Sequence, residues 1–225
     1  MTSSTSPSQL TVEIISDTTC PYCYIGYKRL LRAIALTNAQ PLPVDFKLHF
    51  VPFQLDSNVP PYPGDDRRER LYAKFGQQNF ERMESRIIDD GRKEGLNIQF
   101  QGRLSNTLNS HRVMSKAWEV KGEKAQMLVA EVLFKKYFEE AEDQADPEIL
   151  ADALERAGVM SKEVAKNFIA SDELVEETQD IFLRARAKGI TTVPTFIVNG
   201  KYTISSAQNV TMLANIFKAL TTLPN

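Results

Sequence analysis

The only two cysteines of this 225-residue chain stand two residues apart, in Cys20-Pro21-Tyr22-Cys23. They fall where a short run of strand-type residues, Thr11 to Ser16, gives way to a helical pattern of Cys23, Tyr27, Leu30, Leu31 and Ile34. A C-x-x-C at a strand-to-helix junction reads as a working thiol–disulfide pair. Pro21 suits the first helical position, because its missing N–H would have no partner there and its φ is preset. Cys20 then lies at the amino end of the helix, where the dipole and free N–H groups favour a thiolate. Cys23 falls in the apolar stripe and is expected to be the more buried, resolving sulfur. A zinc site needs four ligands, and only His49 and His111 stand elsewhere as candidates.

Two cysteines are too few for a disulfide-stapled secreted domain, and a chain of this length can bury a core without staples. A net charge of −2 gives no reason to expect nucleic acid or an anionic membrane as partner. No apolar run is long enough to span a membrane. Residues 1–10 read as a flexible tail; the Ser/Thr-rich start carries no basic residue and no apolar core of a secretory signal. A reducing, cytoplasmic compartment is therefore expected, which favours a redox-cycling dithiol.

Along the chain, Val12, Ile14 and Ile15 make a buried strand. The first helix is expected to reach about Leu36 and to stop before Asn38 and Pro41. Val44, Phe46, Leu48 and Phe50 alternate with Asp45, Lys47 and His49, which is a strand with one apolar face. Pro60, Pro61 and Pro63 mark a boundary. From Asp65 to Lys188 the pattern is almost wholly helical, as in Asp146-Pro147, an N-cap followed by a first-turn proline, with Gly158 closing that helix. After Gly189 the chain turns β-prone. Asn199-Gly200 is a hairpin signal, and a last amphipathic helix carries Val210, Leu213, Phe217 and Leu220. The organisation read from this is α/β: residues 11–64 and 189–225 form one domain, interrupted by an all-helical insertion at 65–188.

This order, with C-x-x-C at the first helix and a proline before the third strand, resembles the thioredoxin fold with a DsbA-like helical insertion. Asp17-Thr18-Thr19-Cys20-Pro21-Tyr22-Cys23-Tyr24-Ile25-Gly26 resembles the opening motif of FrnE-like oxidoreductases of the DsbA family, which usually carry Trp at the place of Tyr22. Pro52-Phe53-Gln54-Leu55, His111, Gly189-Ile190, Val193-Pro194-Thr195-Phe196 and Ala207-Gln208 extend the match over residues 11–221. Thr192 and Ser206 stand where family members usually have Gly, and both lie where a bound peptide or thiol would run. Cys-Pro-Tyr-Cys with Thr-Val-Pro is also similar to dithiol glutaredoxins. The architecture is similar to kappa-class glutathione transferases and 2-hydroxychromene-2-carboxylate isomerases too, but those typically have Ser for the first Cys.

The resemblance implies a thiol–disulfide oxidoreductase in which Cys20 and Cys23 are catalytic. It also implies that Pro194 is cis and faces the dithiol, leaving the backbone of Val193 free to pair with an extended substrate or with glutathione. No metal or resident cofactor is implied, though glutathione could serve as co-substrate. Tyr22 is expected to control access and Tyr24 to pack. Pro21, Thr192, Ser206 and His111 are the remaining substrate-side candidates. Ser205 and Ser206 are expected to cap the last helix, whose end could hold a carboxylate of glutathione. His111 shares a helical face with Leu108, Met114 and Trp118; the resemblance places it on the cleft between insertion and dithiol, with Asn106 and Asn109 as helpers. A glutathione-dependent transferase or isomerase acting on a small aromatic or polyketide-like metabolite is the alternative activity. The insertion could present a surface for a homodimer.

Overall fold

The computed structural model describes residues 8–39 and 44–221. A four-stranded mixed sheet has the order β2-β1-β5-β6, built from β1 (Ser8–Ser16), β2 (Val44–Pro52), β5 (Thr195–Val198) and β6 (Tyr202–Ser205). β1 runs parallel to β2 and antiparallel to β5, and β5 pairs antiparallel with β6. Parallel pairing of β1 and β2 requires a crossover, which α1 (Pro21–Asn38) supplies. α9 (Val210–Thr221) packs beside α1. This is the thioredoxin-type sheet expected from the order of elements.

Between β2 and β5 lie α2 (Arg67–Phe75), α3 (Gln77–Lys93), α4 (Leu108–Lys121), α5 (Glu123–Glu139), α6 (Pro147–Arg156), α7 (Lys162–Ala170) and α8 (Val175–Ala187). The region is not all-helical as expected. β3 (Asp65–Asp66) pairs with β4 (Arg103–Leu104), because the chain between α3 and α4 runs extended and buries Leu96, Ile98 and Phe100 one after another. One continuous apolar cluster joins the two parts, from Val12, Cys23 and Phe217 to Val129, Leu133 and Leu154.

The insertion is docked by main-chain chemistry as well as by apolar burial. β2 is an edge of the sheet, so its outer N–H and C=O groups need partners. Gln126 on α5 supplies them: its Oε1 accepts from the Phe50 N–H at 2.8 Å and its Nε2 donates to the Phe50 carbonyl at 3.0 Å. Glu123 accepts from the Leu48 N–H at 3.1 Å. The side-chain amide thus imitates a neighbouring strand and closes that edge.

Several boundaries differ from expectation. β1 begins at Ser8, so the tail does not extend to residue 10; Leu10 is buried because β2 pairs along the whole strand. Residues 1–7 and Pro41 lie outside the described residues. α1 includes Asn38, whose side chain accepts from the Val44 N–H at 3.0 Å. The last helix starts at Val210, later than a cap at Ser205 or Ser206 would place it. Its cap is Asn209, whose Oδ1 accepts from the Met212 N–H at 2.9 Å. Ser206 is therefore not a cap; it sits at φ 69° with its N–H donating to the Pro194 carbonyl at 2.9 Å.

Candidate active site

β1 ends by delivering Asp17-Thr18-Thr19 into α1. The turn is held from three sides. The Asp17 carboxylate accepts from the Thr19 N–H and hydroxyl and from the Leu55 N–H, tying the turn to the segment after β2. The Thr18 hydroxyl bonds Ser110 at 2.7 Å and Gln144 at 3.2 Å, tying it to the insertion. The Cys20 N–H donates to the Asp17 carbonyl at 3.1 Å.

Cys20 is the N-cap of α1 and Pro21 takes the first helical position. Both cysteines are free thiols and approach to 3.5 Å. Cys23 is fully buried, and Cys20 is 6% exposed. Burial, reinforced by the neighbouring Cys20 sulfur, pushes the Cys23 thiol well above the ordinary cysteine value; a hydrogen bond with Ser16 acts in the opposite sense. The Val193–Pro194 bond is cis. The Cys20 thiol donates to the Val193 carbonyl at 3.7 Å, while the Val193 N–H has no hydrogen-bond partner among the described residues. Close packing holds this segment against the dithiol helix: a Cβ on Gly26 would meet Pro194 Cγ at 2.8 Å.

Tyr22 divides the surface around the sulfurs. Burial, followed by the nearby Asp90 carboxylate on α3, raises its pKa. On one side lies a hollow of about 330 Å³ lined by Tyr22, Arg29, Asp90, Val193, Pro194, Ser206 and Ala207. On the other is a cavity of about 230 Å³ that reaches Cys20, Pro21 and Tyr22 and is walled by Leu71, Phe80, Ile87 and Phe100 of the insertion.

The structure thus gathers Cys20, Cys23, Pro21, Tyr22, Val193, Pro194 and Ser206. Thr192 is exposed and borders neither hollow; its carbonyl accepts from the Thr195 hydroxyl. His111 lies behind the turn rather than on the cleft. It is 1% exposed, edge-on to Phe182, with Nε2 3.8 Å from Asp17 Oδ1. Asp17 and Thr107 line the cavity beside Cys20, whereas His111 does not. Asn106 and Asn109 do not assist it: Asn106 binds Gln54, and Asn109 accepts from Arg112. Tyr24 packs in a stack with Phe134 and Phe138, its hydroxyl donating to Glu139. In the acidic stretch at 139–143, Glu139 takes that bond and Asp143 accepts from Ser105 inside the protein.

The cavity walls have no distinct signature in the sequence. Phe80, Met83 and Ile87 form a visible helical stripe, but a stripe does not say whether it faces a core or a hollow. Arg67, at the cavity floor, carried no signal.

The model of the DSBA-like thioredoxin domain matches residues 11–218. The chain belongs to this family. No curated protein matches by sequence. Among solved structures, a probable DsbA oxidoreductase from Streptomyces coelicolor is similar, with a TM-score of 0.81 at 23% identity, covering 96% of this chain and 92% of that one. A 2-hydroxychromene-2-carboxylate isomerase follows the same fold, with a TM-score of 0.65 at 15% identity and coverage of 93% and 95%. So does the cytosolic disulfide reductase DsbM from Pseudomonas aeruginosa with GSH, with a TM-score of 0.61 at 13% identity and coverage of 95% and 100%. At these identities the likeness is one of fold. Membership in a DsbA-like family together with a free thiol pair makes thiol–disulfide chemistry the family context of this site. No helix among the described residues is long and apolar enough to cross a membrane.

Proposed function

We propose that the protein is a FrnE-like thiol–disulfide oxidoreductase that exchanges a Cys20–Cys23 dithiol with the disulfide of a protein or small molecule. The observation that carries this is the asymmetry of the pair: one sulfur at a helix start on the lining of a cavity, the other sealed 3.5 Å behind it. Cys20 thiolate attacks a substrate disulfide, forms a mixed disulfide and releases one substrate thiolate. Cys23 then loses its proton and attacks the Cys20 sulfur. The second substrate thiolate leaves, and a Cys20–Cys23 disulfide remains; oxidation of a dithiol is the reverse. The high proton affinity of Cys23 keeps it out of the first step, because the thiolate is the nucleophile. The backbone of Val193 is the docking edge for an extended substrate, and Tyr22 sets access. The chemistry runs between sulfurs alone and needs no metal or resident cofactor.

Titration against a glutathione redox buffer tests the reading. It should show one reversible two-electron transition that Cys20→Ser abolishes, while Cys23→Ser should accumulate a mixed disulfide. Exchange that survives Cys20→Ser sinks the proposal. A low, strongly reducing potential would fit a reductase in the cytoplasm.

A second reading, a glutathione-dependent transferase or isomerase, draws support from the apolar cavity beside Cys20 and from the hollow that offers Arg29, Asp90 and Ser206 on the other side of Tyr22. Glutathione binding that persists after loss of both sulfurs would select it.

A further inference from the structure

Arg67 is 1% exposed, yet it lines the cavity that opens on Cys20. Its guanidinium lies 3.9 Å from the ring centre of Tyr137, 4.8 Å from that of Phe100 and 4.9 Å from that of Phe138. Only Nη1 is engaged, donating to the carbonyls of Gln99 and Tyr137, each at 3.2 Å. Among the described residues no carboxylate pairs with it. The two other cations on the lining are already neutralised, Arg70 by Asp65 at 2.7 Å and Lys74 by Asp56 at 2.9 Å. A buried cation normally has a counter-ion, because charge is costly out of water. Three ring faces offset part of that cost. The donors left over are those of a planar fork suited to a carboxylate.

The cavity between Arg67 and Cys20 is apolar. Its volume, about 230 Å³, exceeds the roughly 150 Å³ of an apolar cavity that holds benzene. It is small for a whole drug-sized ligand, whose pockets start near about 300 Å³. One aromatic ring with a short polar substituent fits these limits; an extended peptide does not enter.

We propose that this cavity is the specificity pocket of the Cys20 site and takes an aryl thiol, or its disulfide, that carries a carboxylate held by Arg67. The proposal rests on the thiol-exchange reading above. The Cys20 thiolate attacks the sulfur attached to the seated ring. A Cys20–S–S–aryl bond forms, the substrate S–S bond breaks and an aryl thiolate leaves. Cys23 then displaces the seated ring's sulfur as a second aryl thiolate, giving up its proton to solvent. Two electrons pass from the dithiol to the disulfide.

The test is a single-turnover experiment with the reduced full-length protein and three oxidants: bis(4-carboxyphenyl) disulfide, its neutral bis(4-carbamoylphenyl) analogue and glutathione disulfide. Each rate is normalised to that of free dithiothreitol. The carboxylate probe should react at least tenfold faster than the carbamoyl probe. Arg67→Gln should bring that ratio to near one. Leu71→Trp, at a half-buried wall position of α2, should slow both aryl probes tenfold or more relative to glutathione disulfide. A ratio near one in the unmodified protein overturns the proposal. So does a ratio that Arg67→Gln leaves intact, or an aryl rate that Leu71→Trp leaves intact. If Arg67→Gln does not fold, the ratio in the unmodified protein and the Leu71→Trp rates decide alone. Reaction with glutathione disulfide but no aryl preference defeats the pocket and spares the oxidoreductase. Failure with all three oxidants defeats the oxidoreductase reading itself.

Discussion

Gly26→Ala tests how tightly the dithiol helix is clamped to the Val193–Pro194 segment. Gly26 is buried in the second turn of α1. A Cβ there would lie 2.8 Å from Pro194 Cγ, 3.3 Å from Ala207 Cβ and 3.4 Å from Phe196 Cζ. Carbon atoms pack best at about 3.5–4.0 Å, so the proline ring must retreat by about 0.7 Å or more. It cannot do so freely, because the Pro194 carbonyl is held by the Ser206 N–H at 2.9 Å and Thr195 is already paired with Ile15 and Ser205 in the sheet. Overpacking of this kind costs about 1–3 kcal/mol. Replacing a helical glycine by alanine returns about 1 kcal/mol. The net expectation is a loss of about 0–2 kcal/mol in urea unfolding of the reduced protein. Ala35→Gly, at an exposed position of the same helix, calibrates the propensity term. The effect on exchange should exceed the effect on stability. The Val193 carbonyl lies 3.7 Å from the Cys20 sulfur, and a shift of about 1 Å at a reacting centre can cost about 100-fold. A 10- to 100-fold slower single-turnover reduction of glutathione disulfide is expected. A variant about 1 kcal/mol more stable with an unchanged rate would show that helix and proline segment are not in this contact.

Gln126→Leu leaves the buried Phe50 N–H and carbonyl without partners, and unfolding in urea should show a loss of about 2–6 kcal/mol, from about 1–3 kcal/mol per stranded group. Arg112 bonds the carbonyls of Phe168, Ile169 and Ser171 at the end of α7 and that of Glu173 beyond it. Arg112→Met should cost about 3 kcal/mol or more in the same assay, and an unchanged midpoint would deny it that capping role. His49 is stacked 3.9 Å from Trp118, and burial lowers its pKa. The unfolded chain therefore binds the extra proton first. The stabilising contribution is complete above about pH 6.5 and is lost as pH falls from there through the lower folded value, at most about 1.4 kcal/mol per pH unit. His49→Phe should flatten that slope; an identical slope would assign it to other groups.

What could be read from the sequence was what short segments decide for themselves. The Asn199-Gly200 turn has φ of 52° and 66°, the positive values its residue types favour. Asp146 accepts from the Glu148 N–H ahead of Pro147. C-x-x-C with proline at the helix start is equally local. The start of the last helix is not legible in the sequence, because two candidate caps, Ser206 and Asn209, compete within four residues. The Pro194 carbonyl takes the Ser206 N–H into a return loop, and only Asn209 is left to start the helix. His111 shows the opposite limit. Its apolar stripe was legible, but which side of Asp17 it would occupy depends on how α4 docks against β2, and that docking is fixed by contacts scattered from Thr18 to Gln144.

The same limit explains why the dithiol was easier to find than its surroundings. The cysteines have only two residues between them, while the cavity beside them is assembled from Arg67, Leu71, Phe80, Ile87, Phe100 and Tyr137, on four separate stretches of the insertion. None of these positions is unusual alone. Arg67 becomes informative only once three aromatic rings and two carbonyls are known to surround it with no carboxylate among them. A family-wide fold can therefore keep the sulfur chemistry in α1 constant while the insertion resets what reaches it. In this chain the selective surface should then map to α2, α3 and the extended stretch around Phe100. Substitutions there should change which disulfides react while leaving the reduction potential of the Cys20–Cys23 pair where it was.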